Sequence, residues 1–486
     1  MDEREELVRR TKALEEYQEA PEAEGAKKCI PMLKRGDIRK KAGKFYNQPL
    51  DVDGSLFLYH QVPTNGIGYL DLMFDLNGLA PEMVPYLGLL KSVLGYVDTA
   101  GYTYGELSNE INAETGGIQC GVEVFEKADS IEDYRAFFSL RGKVMYPKID
   151  VLFKMAREIL NTSKLDDTKR LYEIIAEVKS RAQANLVSAG HSTAVLRASS
   201  YTLPMAAFQD AMAGIAYYQF IEKAEQEFEQ RKNEIVEKLK ALTVQILRPE
   251  NLSVSYTGEE ESLEQVQKQV KALKLTLHTE SAEFSSEAMP LEKKNEGFMT
   301  SGQVQFVAQA GNFRRKGLVY HGALNILKVA LSYDYLWNNL RVKGGAYGCM
   351  CGFRRSGESY FVSYRDPHLK RTLDVYRGIP EYVRNFRADE REMTKYIIGT
   401  ISGKDVPRTP QMQGSLSRTA WFCGVTEEMV QKERDEILQA TVEDIHNLAP
   451  LIEAVLEEES VCVVGSETAV QKEKELFGEI KSLITC

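Results

Sequence analysis

Apolar and polar positions first become regular after residue 54. Every second residue from 70 to 76 is apolar, and this period of two predicts a half-buried strand. The pair Asn65-Gly66 predicts a tight turn between this strand and another at 56–59. The apolar positions that follow are spaced by four and three residues in turn, so they share one face of a helix. They are Met83, Leu87, Leu90, Leu94 and Val97.

The second half of the chain repeats this order of patterns. Apolar residues at 304, 306 and 308 alternate with glutamines at 303, 305 and 309, and a helical pattern follows on Leu324, Leu327, Leu331 and Tyr335. A shift of 224 positions gives seven identities within 36 ungapped positions, against about two expected by chance. The identical pairs are Phe137 and Phe361, Ser139 and Ser363, Arg141 and Arg365, Asp150 and Asp374, Val151 and Val375, Asn161 and Asn385, and Tyr172 and Tyr396.

Such a repeat indicates one domain present twice, since its period is far longer than that of a solenoid. Strands in adjacent runs followed by long helices favour an α+β architecture. We expect two tandem homologous domains, 46–280 and 281–486, each a mostly antiparallel sheet with helices packed on one face. The residues before them, 1–45, are expected to form a helical hairpin linker, because a charged helical segment is broken by Pro21 and Gly25.

The overall charge and the thiols limit the possible partners and compartment. A net charge of −10 argues against nucleic acid as the main partner, because that affinity depends on Lys and Arg neutralising phosphates. No apolar run approaches the roughly 18 residues of a membrane span, so no membrane partner is expected. Seven cysteines, an odd and widely scattered number, fit reduced thiols and hence a cytoplasmic location better than a disulfide framework.

Motifs of common catalytic sites are missing. The six histidines never form a close pair, so no H-x-x-E-H or H-E-x-x-H zinc spacing occurs and no metal is expected in this chain. Glycine-rich nucleotide motifs and the G-x-S-x-G elbow are also missing. Cys349 and Cys351 share one face of a strand and could ligate a metal, but with no nearby Cys or His they are interpreted as ordinary strand cysteines.

The most distinctive segment runs from Asn338 to Gly348. Gly344 and Gly345 leave a strand or loop without side-chain cover, so another backbone can approach closely. Arg341 and Tyr347 add a guanidinium and a phenol, donors that suit a peptide carbonyl, a carboxylate or an oxyanion. The alternative is a β-bulge with a surface arginine and a packed tyrosine.

The sequence Arg341-Val-Lys-Gly-Gly-Ala-Tyr347-Gly resembles the R-x-K-G-G-A-Y-G signature in the last domain of the presequence-protease branch of the pitrilysin/insulinase zinc peptidases (peptidase family M16). The resemblance extends to Ile30-Pro31 and to Gly101-Tyr-Thr-Tyr104-Gly-Glu. Members of that family contain four related α+β domains in two halves, which are joined by a helical hairpin and close around a peptide chamber. This chain resembles the second half, with the third and fourth domains.

The resemblance implies that the two halves have different roles. The zinc, its H-x-x-E-H ligands and the general base would lie in an N-terminal half that this chain lacks, so no catalytic residue is expected here. Arg341 and Tyr347 would reach across the chamber to hold an unstructured peptide substrate and support the tetrahedral intermediate. Gly344 and Gly345 would keep an edge open for the peptide backbone. The chain would then be inactive alone, with the zinc-bearing half as its partner.

Two other functions remain open. Relatives of this fold without zinc also serve as structural core or partner subunits, so the chain could be a non-catalytic scaffold. An upstream in-frame zinc half would favour the peptidase, and a true start at Met1 would favour the subunit. The other possibility is a self-sufficient hydrolase whose site has no familiar motif.

Overall fold

The computed structural model describes residues 3–20, 25, 31 and 33–484. Residues up to Lys40 form one compact unit, and Lys41–Cys486 form another. The charged helix expected at the start of the chain is α1 (Glu3–Glu19). The second arm of the hairpin linker falls largely on residues outside the described ranges, so that part of the expectation stays a prediction.

The first six strands of the second unit form one sheet. They are β1 (Gln48–Val52), β2 (Ser55–Gln61), β3 (Ile67–Asp75), β4 (Ile118–Glu126), β5 (Tyr134–Met145) and β6 (Leu252–Gly258). Their order in space is β1-β2-β6-β3-β5-β4, and only the β2–β6 pair is parallel. The strand predicted at 70–76 lies largely within β3, and Asn65 and Gly66 have the positive φ angles of a tight turn before it.

A second sheet contains the remaining strands. They are β7 (Glu296–Thr300), β8 (Phe306–Asn312), β9 (Gly348–Phe353), β10 (Glu358–Tyr364), β11 (Ser460–Ser466) and β12 (Glu479–Ser482). The order is β12-β7-β11-β8-β10-β9, with β7 parallel to β11 and to β12. The run β7-β11-β8-β10-β9 repeats the run β2-β6-β3-β5-β4 in order and direction, which confirms the duplicated α+β fold.

Helices fill the connections within each half. In the first half they are α2 (Val84–Val93), α3 (Tyr104–Glu114), α4 (Ile149–Thr162), α5 (Thr168–Ser188), α6 (Gly190–Ser200), α7 (Pro204–Ala213), α8 (Ile215–Gln226), α9 (Phe228–Ile246) and α10 (Leu263–Lys274). In the second half they are α11 (Ala323–Ala330), α12 (Lys370–Arg377), α13 (Ile379–Arg384), α14 (Glu390–Lys404), α15 (Pro410–Cys423), α16 (Glu427–Gln439), α17 (Val442–His446), α18 (Ala449–Glu457) and α19 (Glu467–Lys472).

Each sheet packs helices of its own half on one face, as expected. Phe57, Leu72 and Phe138 of the first sheet share a buried cluster with Leu87 of α2 and Phe153 of α4. In the second sheet the corresponding contacts include the Tyr376 hydroxyl of α12, which donates to the Val307 carbonyl at 3.0 Å. These contacts form the two main cores.

The opposite face of each sheet is covered by a helix from the other half. Helix α6 places Ala194 and Ala198 in a cluster with Phe306 and Val362 of the second sheet. Helix α15 places Phe422 against residues of the first sheet that include Phe137. This exchange was not predicted, because nothing local in a helix indicates which sheet it will cover.

In each half, a glycine allows the covering helix to approach the sheet of the other half closely. The two glycines are 224 positions apart, the same shift as the repeat. A Cβ on Gly190 of α6 would collide with the ring of Phe306, and a Cβ on Gly414 of α15 would collide with the Thr257 hydroxyl. Both helices therefore approach the foreign sheet through a position that has no side chain. The shared offset indicates that both copies have retained this packing.

Buried ion pairs join the halves at the same places. Arg418 of α15 lies 2.5 Å from Asp71 and 2.7 Å from Glu123, both on the first sheet. Arg197 of α6 lies 2.5 Å from Glu296 on the second sheet and 2.6 Å from Asp210. Because removal of one partner leaves a buried charge uncompensated, substitution of either arginine should destabilise the contact between the halves.

A pH-dependent contribution to stability comes from His60 beneath α15. Its ring atoms lie 3.2 Å from the Tyr46 carbonyl and 3.0 Å from the Ser255 hydroxyl, and burial lowers its pKa from 6.5 to about 4. The unfolded chain therefore binds a proton as the pH falls through 6.5, while the folded chain resists until about 4. Stability should be lost across that window by up to about 3 kcal/mol and retained above it.

Chemical denaturation across that pH range tests this expectation. His60→Asn cannot titrate there but keeps an N–H donor near the Tyr46 carbonyl, so its stability should fall less steeply than that of the wild type. If the free energy of unfolding falls equally steeply with decreasing pH in the wild type and in His60→Asn, His60 does not titrate as described.

Candidate functional site

The candidate site begins on a helix that widens as it approaches the diglycine segment. Helix α11 continues into π-helical turns at Leu331–Tyr335 and Trp337–Val342. Leu331 and Tyr335 are helical as predicted, but the change in winding was not foreseen. π-Helical turns are rare and frequently occur at functional sites. Arg341 lies in the last of these turns.

The two glycines end this helix and do not form an open strand edge. Gly345 has a φ of 80° and its N–H donates to the Arg341 carbonyl at 2.9 Å, while the Ala346 N–H donates to the Leu340 carbonyl at 2.9 Å. This is the left-handed glycine cap of many helices. Gly344 is buried, and a Cβ there would collide with the Leu340 carbonyl. The chain's own turn thus explains why glycines occur here, and the expected role of these glycines in substrate binding stays a prediction.

Arg341 is held in place by aromatic rings and backbone. Its guanidinium carbon lies 4.4 Å from the centroid of the Trp337 ring and 5.2 Å from that of Tyr347, and one of its N–H groups donates to the Tyr347 carbonyl. Cation–π contacts of this kind contribute about 0.5–1 kcal/mol each at exposed sites. The described residues offer Arg341 no carboxylate partner, so its charge is positioned and not neutralised.

Tyr347 faces solvent beside this guanidinium. Its side chain is 63% exposed, so it is not the packed tyrosine of the alternative interpretation. Its backbone N–H donates to the Tyr364 carbonyl at 3.0 Å, which fixes the residue at the start of β9. An exposed phenol next to an unneutralised guanidinium can donate to a carbonyl or carboxylate that approaches from outside.

Three further aromatic residues extend this pair and were not identified from the sequence. Trp337 precedes Arg341 by four residues, a helical spacing that could have identified it. The Tyr364 ring lies 5.8 Å from the Tyr347 ring and 5.0 Å from His191. His191 belongs to α6 of the other half, so no local signal could have found it.

The strand that follows Tyr347 lies at the edge of the second sheet. Among the described strands, β9 pairs with β10 alone, so its other side presents unpaired backbone groups. Burial raises the pKa of Cys349 to about 11 and that of Cys351 to about 12. Both thiols are therefore protonated near neutral pH, in agreement with ordinary strand cysteines.

The structure also bears on metals and membranes. Within 3–20, 25, 31 and 33–484, no group of three or more His, Cys, Asp or Glu residues could hold a metal ion. The donors among these described residues thus do not fit a zinc site. None of the helices in the part of the chain that the structure describes is both long and apolar enough to span a membrane.

The glycine cap allows a direct test of the turn geometry. Gly345→Ala forces a side chain into the left-handed region and should lower the free energy of unfolding by about 1–2 kcal/mol. The matched control is Gly403→Ala, at an exposed position of α14 where a Cβ meets nothing within 4 Å. That change should raise stability by about 0.5–1 kcal/mol. Thermal or denaturant unfolding of both variants measures the contrast, and equal shifts would contradict the cap.

Two protein-family models match the chain. The model of a region associated with subfamily C of peptidase family M16 matches residues 1–224, and the model described as PreP C-terminal domain matches residues 295–467. Together they account for most of both halves. The second match includes Arg341, Gly344, Gly345 and Tyr347.

Individual relatives agree with these matches. Over 99% of its length, the chain is 39% identical to Protein HypA of Clostridium perfringens and 30% identical to Presequence protease 1, chloroplastic/mitochondrial, of Arabidopsis thaliana. It covers 49% and 45% of those proteins, so it spans about half the length of these curated relatives. A peptidase M16 inactive domain from Pseudomonas fluorescens has a similar fold, with a TM-score of 0.58, 16% identity, and coverage of 86% of this chain and 98% of that structure.

Proposed function

The chain belongs to subfamily C of the M16 peptidases as their C-terminal half, and we propose that it forms one wall of a chamber in which unstructured peptides are degraded. In this proposal it supplies substrate contacts to a separate, zinc-bearing N-terminal half and does not cleave peptides alone. Peptides and that half are its partners, and neither nucleic acid nor membrane is. The scattered free thiols of Cys120, Cys349, Cys351, Cys423 and Cys462 support a cytoplasmic location.

The observation that carries the proposal is the fixed, unneutralised guanidinium of Arg341 beside the exposed phenol of Tyr347. The bond from Arg341 to the Tyr347 carbonyl and the flanking Trp337 ring hold the cation still before any ligand arrives. Preorganised donors stabilise developing negative charge more than mobile ones do, because they need no reorganisation during the reaction. A purely structural arginine would be expected to have a carboxylate partner or a solvated side chain.

These two residues bind and orient substrate in the proposed role. The Arg341 N–H groups and the Tyr347 O–H donate to a peptide carbonyl and thereby hold the backbone in an extended conformation. The neighbouring edge strand β9 offers backbone groups to the same peptide by strand addition. Gly344 and Gly345 contribute indirectly, because their turn sets the position of Tyr347 relative to Arg341. Hydrolysis would depend on the zinc of the other half, since the described residues of this chain contain no group that could hold a metal ion.

Photo-crosslinking of a bound peptide tests this function. An unstructured peptide with a benzophenone side chain should label the isolated chain, and mass spectrometry should place the adducts near Trp337, Tyr347 and β9. Arg341→Ala should reduce labelling by about tenfold, since a hydrogen bond to a charged group contributes roughly 1.5–3 kcal/mol.

The matched control is Arg391→Ala on α14, an exposed arginine outside the site, which should leave labelling unchanged. Adducts scattered over the surface, or labelling equal in both variants, would favour a scaffold that does not contact substrate.

A further inference from the structure

Three more cationic residues belong to the segments next to the Arg341–Tyr347 pair. Lys343 lies on the glycine turn, Arg365 directly follows β10, and Arg371 lies in the first turn of α12. Among the described residues, none of the three has a carboxylate within ion-pair distance, although ion pairs are numerous elsewhere in this acidic chain. An unneutralised group of cations in such a protein points to an anion from outside.

Backbone contacts hold the two turns together. The Tyr347 N–H donates to the Arg365 carbonyl at 3.3 Å, and Arg371 donates to the Lys343 carbonyl at 3.1 Å. The guanidinium of Arg365 lies 5.5 Å from the centroid of the Tyr364 ring. These contacts place the Arg365 backbone beside Tyr347 and the Arg371 guanidinium beside the Lys343 backbone, and none of them neutralises a charge.

A β-bulge sets the position of Arg365. Strand β10 faces β8 in constant register from Glu358 opposite Asn312 to Val362 opposite Ala308, but the next bridge joins Asp366 to Gln305. One extra residue has therefore entered this side of the ladder. Arg365 has a φ of 49°, the left-handed backbone of a bulge. Bulges next to active sites often redirect a side chain.

The first half contains a natural comparison in Arg141, the counterpart of Arg365 under the shift of 224. Strand β5 keeps a constant register with β3 throughout, and Arg141 lies opposite Asp71. It donates to Asp71 at 2.8 Å and to Glu123 at 2.6 Å. One copy of this arginine is therefore neutralised by two carboxylates, while the bulge gives the other copy none.

The acidic groups near Arg365 do not neutralise its charge. Asp366 is buried, and it accepts from the Thr372 hydroxyl at 2.6 Å and from the His368 N–H at 2.8 Å. Asp374 is bonded to Lys370 and Arg377. The neighbouring carboxylates are thus already bonded to other groups.

We propose that Arg365, Arg371 and Lys343 form a subsite for a carboxylate of the bound peptide, either its C terminus or an acidic side chain. The inference rests on the proposed function and adds a substrate preference to it. Arginine binds carboxylates through paired charge-assisted hydrogen bonds, and Arg371 and Arg365 offer two such groups. The edge of β9 would hold the peptide backbone while these cations hold its negative end or side chain.

Fluorescence anisotropy with the full chain tests the subsite. Three peptides share one unstructured sequence: an amidated peptide without acidic residues, the same peptide with a free C terminus, and an amidated peptide with one glutamate. At low salt, one carboxylate peptide should bind about tenfold more tightly than the neutral peptide, and the preference should shrink at high salt. The peptide that binds more tightly shows whether the carboxylate comes from the C terminus or from an acidic side chain.

Variants assign the effect to residues. Arg365→Asn removes the charge but tolerates the left-handed backbone, and Arg371→Gln removes the second guanidinium. Each should bring the affinity ratio close to one while neutral-peptide binding stays within about twofold. Arg391→Gln should leave the ratio unchanged. Equal binding of all three peptides by the wild type, or an unaltered ratio in both variants, overturns the subsite alone. Failure to bind any peptide overturns the proposed function as well.

Discussion

Arg418→Ala should lower the free energy of unfolding by about 3 kcal/mol, because it removes the buried cation between Asp71 and Glu123 and leaves them only the half-exposed Arg141. The arginine is only 2% exposed and lies between Asp71 and Glu123 at the contact of α15 with the first sheet. Burial raises the pKa of Glu123, and the Arg418 charge opposes that rise. The loss of stability in Arg418→Ala should therefore be larger near pH 7 than near pH 5, because without Arg418 the pKa of Glu123 rises further and the carboxyl takes up a proton more readily as the pH falls. Denaturant unfolding at both pH values measures it.

Arg181→Ala is the matched control for this change. Arg181 also pairs with a glutamate, Glu177, but both side chains are more than 60% exposed. An exposed pair contributes about 0–1 kcal/mol, so its loss should hardly alter unfolding. A similar small effect for Arg418 would show that α15 does not hold the two halves together. Separate unfolding transitions for the two halves in the wild type would contradict the exchange of helices.

Arg341→Ala should reduce the peptidase activity of a complex between this chain and a zinc-bearing half by on the order of 100-fold, mainly in kcat. The reason is the loss of a fixed donor where negative charge develops on the substrate carbonyl. Tyr347→Phe removes only the phenolic donor and keeps the ring that contacts Arg341, so a smaller loss is expected. Steady-state kinetics of the complex with a fluorogenic peptide measures both.

The control for these kinetics is again Arg391→Ala, which should leave kcat and KM unchanged. A loss in Arg341→Ala that appears only in KM would assign the residue to ground-state binding. Full activity in both Arg341→Ala and Tyr347→Phe would show that neither residue contacts the reacting peptide. The circular dichroism of each variant checks that the fold is intact.

The sequence was most informative where structure depends on local period. Alternation at 70–76 and spacing at Met83–Val97 predicted elements that the structure contains, although α2 ends at Val93. The shift of 224 predicted the duplication, and five strands of each sheet follow the same order. The period of the apolar positions was sufficient to predict these elements because the apolar face of each packs within its own half. The boundary near residue 280 remains a prediction.

Contacts between distant segments were beyond the reach of such patterns. Helices α6 and α15 each cover the sheet of the other half, yet the spacing of their apolar residues is compatible with packing on either sheet. The glycine turn shows the same limit, since the sequence identified Gly344 and Gly345 as distinctive without showing that they end a helix. Their conformations are set by contacts with the Leu340 and Arg341 carbonyls in the preceding turn. Arg365 was noticed only as an identity with Arg141, because a bulge leaves no pattern in a single sequence.

Reconstitution tests the central claim most directly. The isolated chain should bind no stoichiometric zinc and cleave no peptide, whereas mixing it with an H-x-x-E-H-containing half of a related peptidase should produce zinc-dependent cleavage of an unstructured peptide. That cleavage should require this chain and should be lost when the zinc half is incubated alone. Peptide cleavage by the isolated chain, or cleavage by the zinc half that this chain does not enhance, would contradict the account.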